Sequence, residues 1–352
     1  VPGERLHPEP GAAVEQLRRW RPDLLFVHGL ADAALESAVL ASAPAVAVQH
    51  TYHGTCISST KTMSWPGVTP CTRAFGPGCL AQYFPRRCGG SSPVTMTMLY
   101  RAQALRLEAL RRAAAVMTLS QHMASEMRRN GVPAGRVHVV PPFVAPFAGA
   151  RGPRLGDGTI RLLFLGRLEP LKGARQLLLS LPLVLDRLDR PVSLVVAGDG
   201  AERDSLETQA ASLSASEPRI RIRFTGWQGE AARARLLAEA DALVVPSLWP
   251  EPFGLVGLEA AAAGVPAVAF ASGGIPEWLH EGVNGCLAPP DGARPALLAE
   301  AIARCVGSAD VLARLGAGAR ESAARWTIER HMAGLHGVFE GALQPVAASQ
   351  AS

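Results

Sequence analysis

From Leu24 onward, short apolar runs alternate with helix-length segments, and this alternation repeats in two series. In the first series LLFVHG (24–29), PAVAVQH (44–50), VMTLS (116–120) and VHVVPP (137–142) read as strands, and Ala33 to Ala41 reads as a helix. The second series offers RLLFLG (161–166), SLVVAG (193–198), IRFTG (222–226), ALVVPS (242–247) and PAVAF (266–270), with helical segments in the gaps. Apolar runs without alternation suit strands buried on both faces, and crossover helices make such strands parallel. The expected fold class is α/β, with two Rossmann-like doubly wound domains. Ligands of such sheets bind at the carboxyl ends of the strands.

APFAGARGPRLGDG (145–158) has the composition of an interdomain linker. The expected domains are 1–146 and 147–328, with a C-terminal helix and tail at 329–352 that crosses back to the first domain. At roughly 100–200 residues per domain, 352 residues accommodate this division. Residues 51–92 interrupt the rhythm; they are rich in Gly, Pro, Ser, Thr and Cys and lack periodicity. A loop of that length is commonly functional or disordered.

Net charge is +5, compatible with acidic or phosphorylated partners. Aromatics are 5% of residues and do not interleave with the basic ones, which argues against nucleic acid. The apolar run Leu177 to Leu185 is broken by Ser180 and Pro182, and no stretch reaches the ~20 apolar residues a spanning helix needs. VTMTMLYRAQALRLEALRRA (94–113) reads as an amphipathic helix. Leu99, Leu105, Leu107 and Leu110 form its apolar side, and Arg101, Arg106, Arg111 and Arg112 form its charged side. That pattern suits either a solvated face or peripheral contact with an anionic membrane.

Cys56, Cys71, Cys79 and Cys88 fall in the 51–92 loop, while Cys286 and Cys305 lie far away. No two make a C-x-x-C pair, so isolated thiols are the main reading and a structural zinc site the secondary one.

SLWPEPFGLVGLEAAAAGVP (247–266) carries the most chemistry. Pro252 suits a first helical position, leaving the N–H groups of Phe253, Gly254 and Leu255 to meet an anion. Glu259, two turns on in an apolar stretch, needs partners that ribose hydroxyls would supply. A structural ion pair would also satisfy it. In GRLEPLKG (166–173), Gly166 permits close backbone approach, and Arg167 and Lys172 bring two cations to a helix start. AGDG (197–200) ends the next strand with Gly198, and SGGIPEWLHEGVNG (272–285) adds Gly273, Gly274 and Glu277. His50 ends a strand, with His53 close behind.

Taken together, these motifs resemble the family 4 retaining glycosyltransferases of the GT-B fold, over nearly all of residues 20–340. The resemblance implies two domains facing across a cleft: an N-terminal acceptor-side domain and a C-terminal donor domain for a nucleotide-diphosphate sugar. It implies hexosyl transfer to a glycan, lipid-linked or small-molecule acceptor, with retention, as in polysaccharide biosynthesis. No metal or other cofactor is expected. Arg167 and Lys172 would hold the diphosphate and Glu259 the ribose. Glu251 and the backbone of Phe253 to Leu255 would contact donor sugar and phosphate, and Gly166, Gly198 and Gly274 would admit the donor. His50 would approach the donor sugar from the other domain.

The catalytic candidates are therefore Glu251, His50, Arg167 and Lys172. The first clear strand resembles a later family strand, so about 50–80 opening residues are expected to be missing. The competing expectations are a nucleotide-sugar-binding module without turnover and another GT-B enzyme, such as a sugar-nucleotide epimerase. The expected location is cytoplasmic or peripheral to the inner membrane face.

Overall fold

A computed structural model describes residues 9–147, 158–290, 292 and 294–344. Most of the expected linker, and the first eight residues, lie outside them. The described chain forms two compact units. One holds residues 9–66, 71–141 and 329–344, and the other holds 67–70 and the described residues between 142 and 328.

In the first unit, α1 (Pro10–Trp20) precedes β1 (Leu25–Val27), α2 (Ala33–Leu40) and β2 (Ala45–Gln49). After the long insertion, which carries α3 (Gly78–Tyr83), come α4 (Pro93–Arg112), β3 (Ala115–Thr118), α5 (Gln121–Arg129) and β4 (Val137–Val139). The four strands pair in parallel in the order β1-β2-β3-β4. Asp32, Ser92 and Ser120 accept hydrogen bonds from the backbone N–H groups of Leu35, Thr95 and Met123, capping α2, α4 and α5. The C-terminal helix α12 (Ile328–Leu343) buries Val338 and Ala342 against Val46, Val48 and Met117 of this sheet. Helix α1 was not legible as a periodic segment, yet it buries Ala13, Val14 and Leu17.

The structure adds to one expectation for this unit and corrects another. The aperiodic 51–92 segment is a folded insertion, with Tyr52, Ile57 and Tyr83 buried. Its anchor is Lys61, 2% exposed, whose Nζ lies 2.8 Å from Glu126 Oε2 and donates to the carbonyls of Thr55 and Arg73. Gln103 and Asn130 accept from the N–H groups of Gly54 and Phe75 and tie the insertion to α4 and α5. These polar links replace the periodic apolar pattern that would have made the segment readable.

The correction concerns the charged side of α4. Arg106 is buried against Glu36 at 2.7 Å and donates to the carbonyls of Leu30 and Ala31. Arg111 donates to the carbonyl of Asn130. Leu105 is exposed. The side expected to be a solvated cationic stripe is thus partly a packing surface.

The second unit runs β5 (Ile160–Leu165), α6 (Ala174–Leu188), β6 (Val192–Ala197), α7 (Arg203–Ser216), β7 (Ile220–Gly226), α8 (Glu230–Glu239), β8 (Ala242–Val245), α9 (Leu255–Ala262), β9 (Ala267–Phe270), β10 (Gly285–Ala288), α10 (Pro295–Val306) and α11 (Ala309–Ala323). All six strands are parallel, in the order β10-β9-β8-β5-β6-β7. The order reverses between β5 and β8, the position where such sheets open a crevice at their carboxyl ends. Strand β10 was not foreseen, because GCLA is short and opens on glycine. Helix α6 continues through Pro182, and Ser180 Oγ donates back to the carbonyl of Leu177 at 2.7 Å. The core joins Leu162, Phe164, Leu194, Val196, Val244 and Val268 to Leu177, Leu181 and Ile302.

Candidate functional site

A cavity of about 330 Å³ opens at the carboxyl ends of β5, β6 and β7. It is lined by Leu165, Gly166 and Arg167 after β5, Ala197, Gly198 and Asp199 after β6, and Trp227 to Glu230 after β7; Arg233 of α8 and Val256 and Glu259 of α9 complete it. Glycine is required where two of these strand ends meet. Gly198 adopts φ +151°, and a Cβ there would lie 1.8 Å from the carbonyl oxygen of Gly166. No other residue permits so close an approach.

Of the candidates, Gly166, Arg167, Gly198 and Glu259 line this cavity. Arg167 is exposed and pairs with Glu169 at 2.7 Å. Such an exposed pair contributes about 0–1 kcal/mol, so an incoming anion replaces Glu169 at little cost. Glu259 is half-buried rather than buried, and Arg233 Nη1 lies 3.6 Å away, beyond hydrogen-bonding distance. Burial pushes its carboxyl above the ordinary glutamate range; Arg233 opposes that shift and Glu230 adds to it. A carboxylate penalised in this way gains from hydroxyl donors. Arg233 is a cavity cation that spacing alone did not reveal, since it sits in the unremarkable helix EAARARLLAE.

Lys172, Glu251, Phe253, Gly254, Leu255 and Gly274 lie outside the lining. Lys172 and Glu251, read as separate ligand contacts, pair with each other at 2.7 Å. Glu251 Oε1 also accepts from Ser247 Oγ at 2.5 Å, and Lys172 Nζ sits 5.0 Å from the Trp249 ring centroid. The amide of Gly274 donates to the carbonyl of Glu251 at 2.7 Å, so it serves the fold.

The helix start also differs from expectation. Helix α9 begins at Leu255, not at Pro252, with Gly254 as its N-cap at φ +93°. Trp278 Nε1 donates to the carbonyl of Phe253 at 2.6 Å, and Glu251 bridges Gly273; both hold 251–254 outside the helix. Glu259 is therefore about one turn into α9. The N–H groups of Leu255 and Val256 open that helix without intrahelical acceptors.

In the first unit, His50 Nε2 lies 2.9 Å from His28 Nδ1 with the rings stacked. Burial and then His28 push the His50 imidazole below its ordinary value. The pairing of the two strand-end histidines was not legible, because 21 residues separate them. His53 is likewise lowered, first by burial and then by Arg106.

The four-cysteine zinc reading is not supported by geometry. Among the described residues, no three His, Cys, Asp or Glu side chains are arranged to hold a metal ion, and all six cysteines are free thiols. Cys56 Sγ instead accepts from the Lys61 amide at 3.3 Å, and burial pushes the Cys88 thiol up to about 11. No described helix is long and apolar enough to cross a membrane.

Comparison with known proteins agrees with this architecture. The profile "Glycosyltransferase Family 4" matches residues 3–146, and "Glycosyl transferases group 1" matches 151–322. The chain is 40% identical over 162 residues to a Mycobacterium tuberculosis glycogen synthase, covering 46% of this chain and 35% of that protein. It is 36% identical over 231 residues to the D-inositol 3-phosphate glycosyltransferase of Thermobispora bispora, covering 61% and 52% respectively. The chain thus spans about a third to a half of the curated relatives it matches. Among solved structures, Anabaena HepE in complex with UDP-glucose superposes with a TM-score of 0.69 at 21% identity, over 97% of this chain and 86% of that one. The Thermosynechococcus elongatus sucrose-phosphate synthase gives 0.67 at 21% identity, over 94% and 77%. The chain belongs to the family 4 glycosyltransferases and has their GT-B fold.

Proposed function

We propose that the protein transfers a hexose from a nucleotide-diphosphate sugar to a glycan, lipid-linked or small-molecule acceptor, with retention of configuration and without a metal ion. The observation that carries this reading is the convergence of Arg167, Glu259 and Val256, in the first turn of α9, around one cavity at the strand ends. In this reading Arg167 and Lys172 hold the diphosphate. Their charge, with the helix N-terminus, stabilises the departing nucleoside diphosphate as a metal ion does elsewhere. Glu259 accepts from the ribose hydroxyls.

Glu251, buried and shared between Lys172 and Ser247, positions the lysine and contacts the donor sugar. His50 is the proposed contribution of the first unit to the donor sugar. The named relatives use inositol phosphate or build glycogen, and HepE holds UDP-glucose; these make a UDP-hexose the first donor to test.

Thermal melting against a panel of nucleoside diphosphates tests donor binding. Ligand at 100 times Kd raises stability by about 2.7 kcal/mol. No stabilisation by any of them overturns the proposal. Mass spectrometry of donor–acceptor mixtures then tests transfer. Binding without product identifies a donor-binding module, and donor conversion without acceptor identifies an epimerase.

A further inference from the structure

From Ser37 to Leu107 the sequence contains no aspartate and no glutamate, although the whole chain holds 30 acids in 352 residues. At that frequency, these 71 positions would carry about six. The same stretch holds six cations: Lys61, Arg73, Arg86, Arg87, Arg101 and Arg106. Lys61 and Arg106 are buried and neutralised by Glu126 and Glu36. The remaining four arginines are exposed, and among the described residues none of them makes an ion pair.

Large apolar side chains stand out of the same surface. Val94 and Met98 of α4 are 68% and 66% exposed, and Leu105 is 48% exposed. With Arg101 they occupy positions i, i+4, i+7 and i+11, within roughly 60° of arc at 3.6 residues per turn. Trp65 and Phe84 are exposed as well. The Arg87 guanidinium stacks 4.8 Å from the Trp65 ring centroid, and the Arg86 carbonyl accepts from the amides of Ser64 and Trp65. Phe84 packs edge-on against Tyr83, and a Cβ at Gly90 would touch both Tyr83 and Thr95 of α4. The turn after α3 and the start of α4 therefore form one continuous surface.

We propose that this surface, centred on Arg86, Arg87, Arg101, Val94, Met98 and Trp65, docks the protein on an anionic lipid bilayer. A soluble polyanion would pair with the arginines and leave Val94, Met98 and Trp65 in water. A bilayer interface rewards both sets at once: headgroup charge meets the guanidinium groups, and the apolar side chains and the indole enter the acyl boundary. The acid-free composition removes the like-charge repulsion that would oppose this approach. The proposal uses no residue of the cavity and stands independently of the donor reading.

Flotation with phosphatidylcholine vesicles, and with vesicles containing phosphatidylglycerol, tests it on the full chain. The expected result is binding that requires phosphatidylglycerol and weakens with added salt. Each arginine replaced by glutamine in Arg86→Gln, Arg87→Gln and Arg101→Gln should lower partitioning about fivefold. Val94→Ser with Met98→Ser should lower it further. Brominated phosphatidylglycerol should quench tryptophan emission in the unmutated protein and quench it less in Trp65→Phe; this readout holds even where a multiple variant folds poorly. Equal binding to both vesicle types, no binding to either, or no loss of quenching in Trp65→Phe overturns the proposal. So does binding to heparin or DNA that survives Val94→Ser/Met98→Ser in the absence of vesicle binding.

Discussion

Replacing Glu259 with alanine separates the ligand-binding role of this carboxylate from a structural one. At 3.6 Å from Arg233, Coulomb's law allows about 1 kcal/mol in water and about 5 kcal/mol at an effective dielectric of 20. The arginine side chain is 40% exposed and no hydrogen bond joins the pair, which places the contact at the lower end, about 0–1 kcal/mol. Removing the carboxylate should therefore change the melting temperature of the ligand-free protein little. Hydrogen bonds from ribose hydroxyls to a carboxylate are worth about 1.5–3 kcal/mol, which predicts a Kd for the preferred nucleoside diphosphate raised about 10- to 150-fold. Isothermal titration calorimetry with that nucleotide and with its 2′,3′-dideoxy counterpart makes the test specific. The variant should lose affinity for the ribonucleotide and keep its affinity for the dideoxy compound. Equal binding of the ribonucleotide by both proteins refutes the reasoning. So does a large drop in melting temperature with no ligand present, which would make the Arg233 pair structural.

Acidification should act on the same preference. Because burial raises the Glu259 carboxyl, the ribo-over-dideoxy preference should fall as pH drops toward the ordinary glutamate range, earlier than for a solvated carboxylate; a flat preference, measured by calorimetry across that range, refutes it. The raised folded-state value also means that this group's contribution to stability is full below the unfolded value and lost as pH rises through the folded one. Glu259→Gln should then melt slightly higher than the unmutated protein at neutral pH. Gly198→Ala places a Cβ 1.8 Å from the Gly166 carbonyl oxygen and should cost at least about 2 kcal/mol while abolishing nucleotide-induced stabilisation; an unchanged thermal shift would contradict it. Lys61→Met leaves the buried Glu126 with Arg129 as its remaining ion partner and should lower stability by about 3 kcal/mol in denaturant unfolding. Melting within error of the unmutated protein would show that the insertion is held without this pair.

The elements legible in the sequence were those with a local physical signature. Strands such as RLLFLG and ALVVPS are buried on both faces, so their apolar character is continuous and readable without knowing their neighbours. The GRLEPLKG and AGDG segments were legible as strand ends because each closes a continuous apolar run with glycine. Where packing and hydrogen bonding dominated, sequence pattern misled. Pro252 satisfies every local rule for a helix start, yet Trp278 and Gly273 hold it outside α9. Arg106 fits a charged stripe, yet its partner Glu36 lies 70 residues away.

The chain's own order of apolar runs and glycines determined that it would build parallel α/β sheets and that Gly166 and Gly198 would stand at strand ends, because these depend on periodicity and backbone freedom. Tertiary structure alone decided which charges meet: Lys172 with Glu251, Arg233 near Glu259, His28 beside His50. Coulombic and hydrogen-bond partnerships act through space over a few ångströms, and sequence separation holds no record of that distance until the fold has closed it.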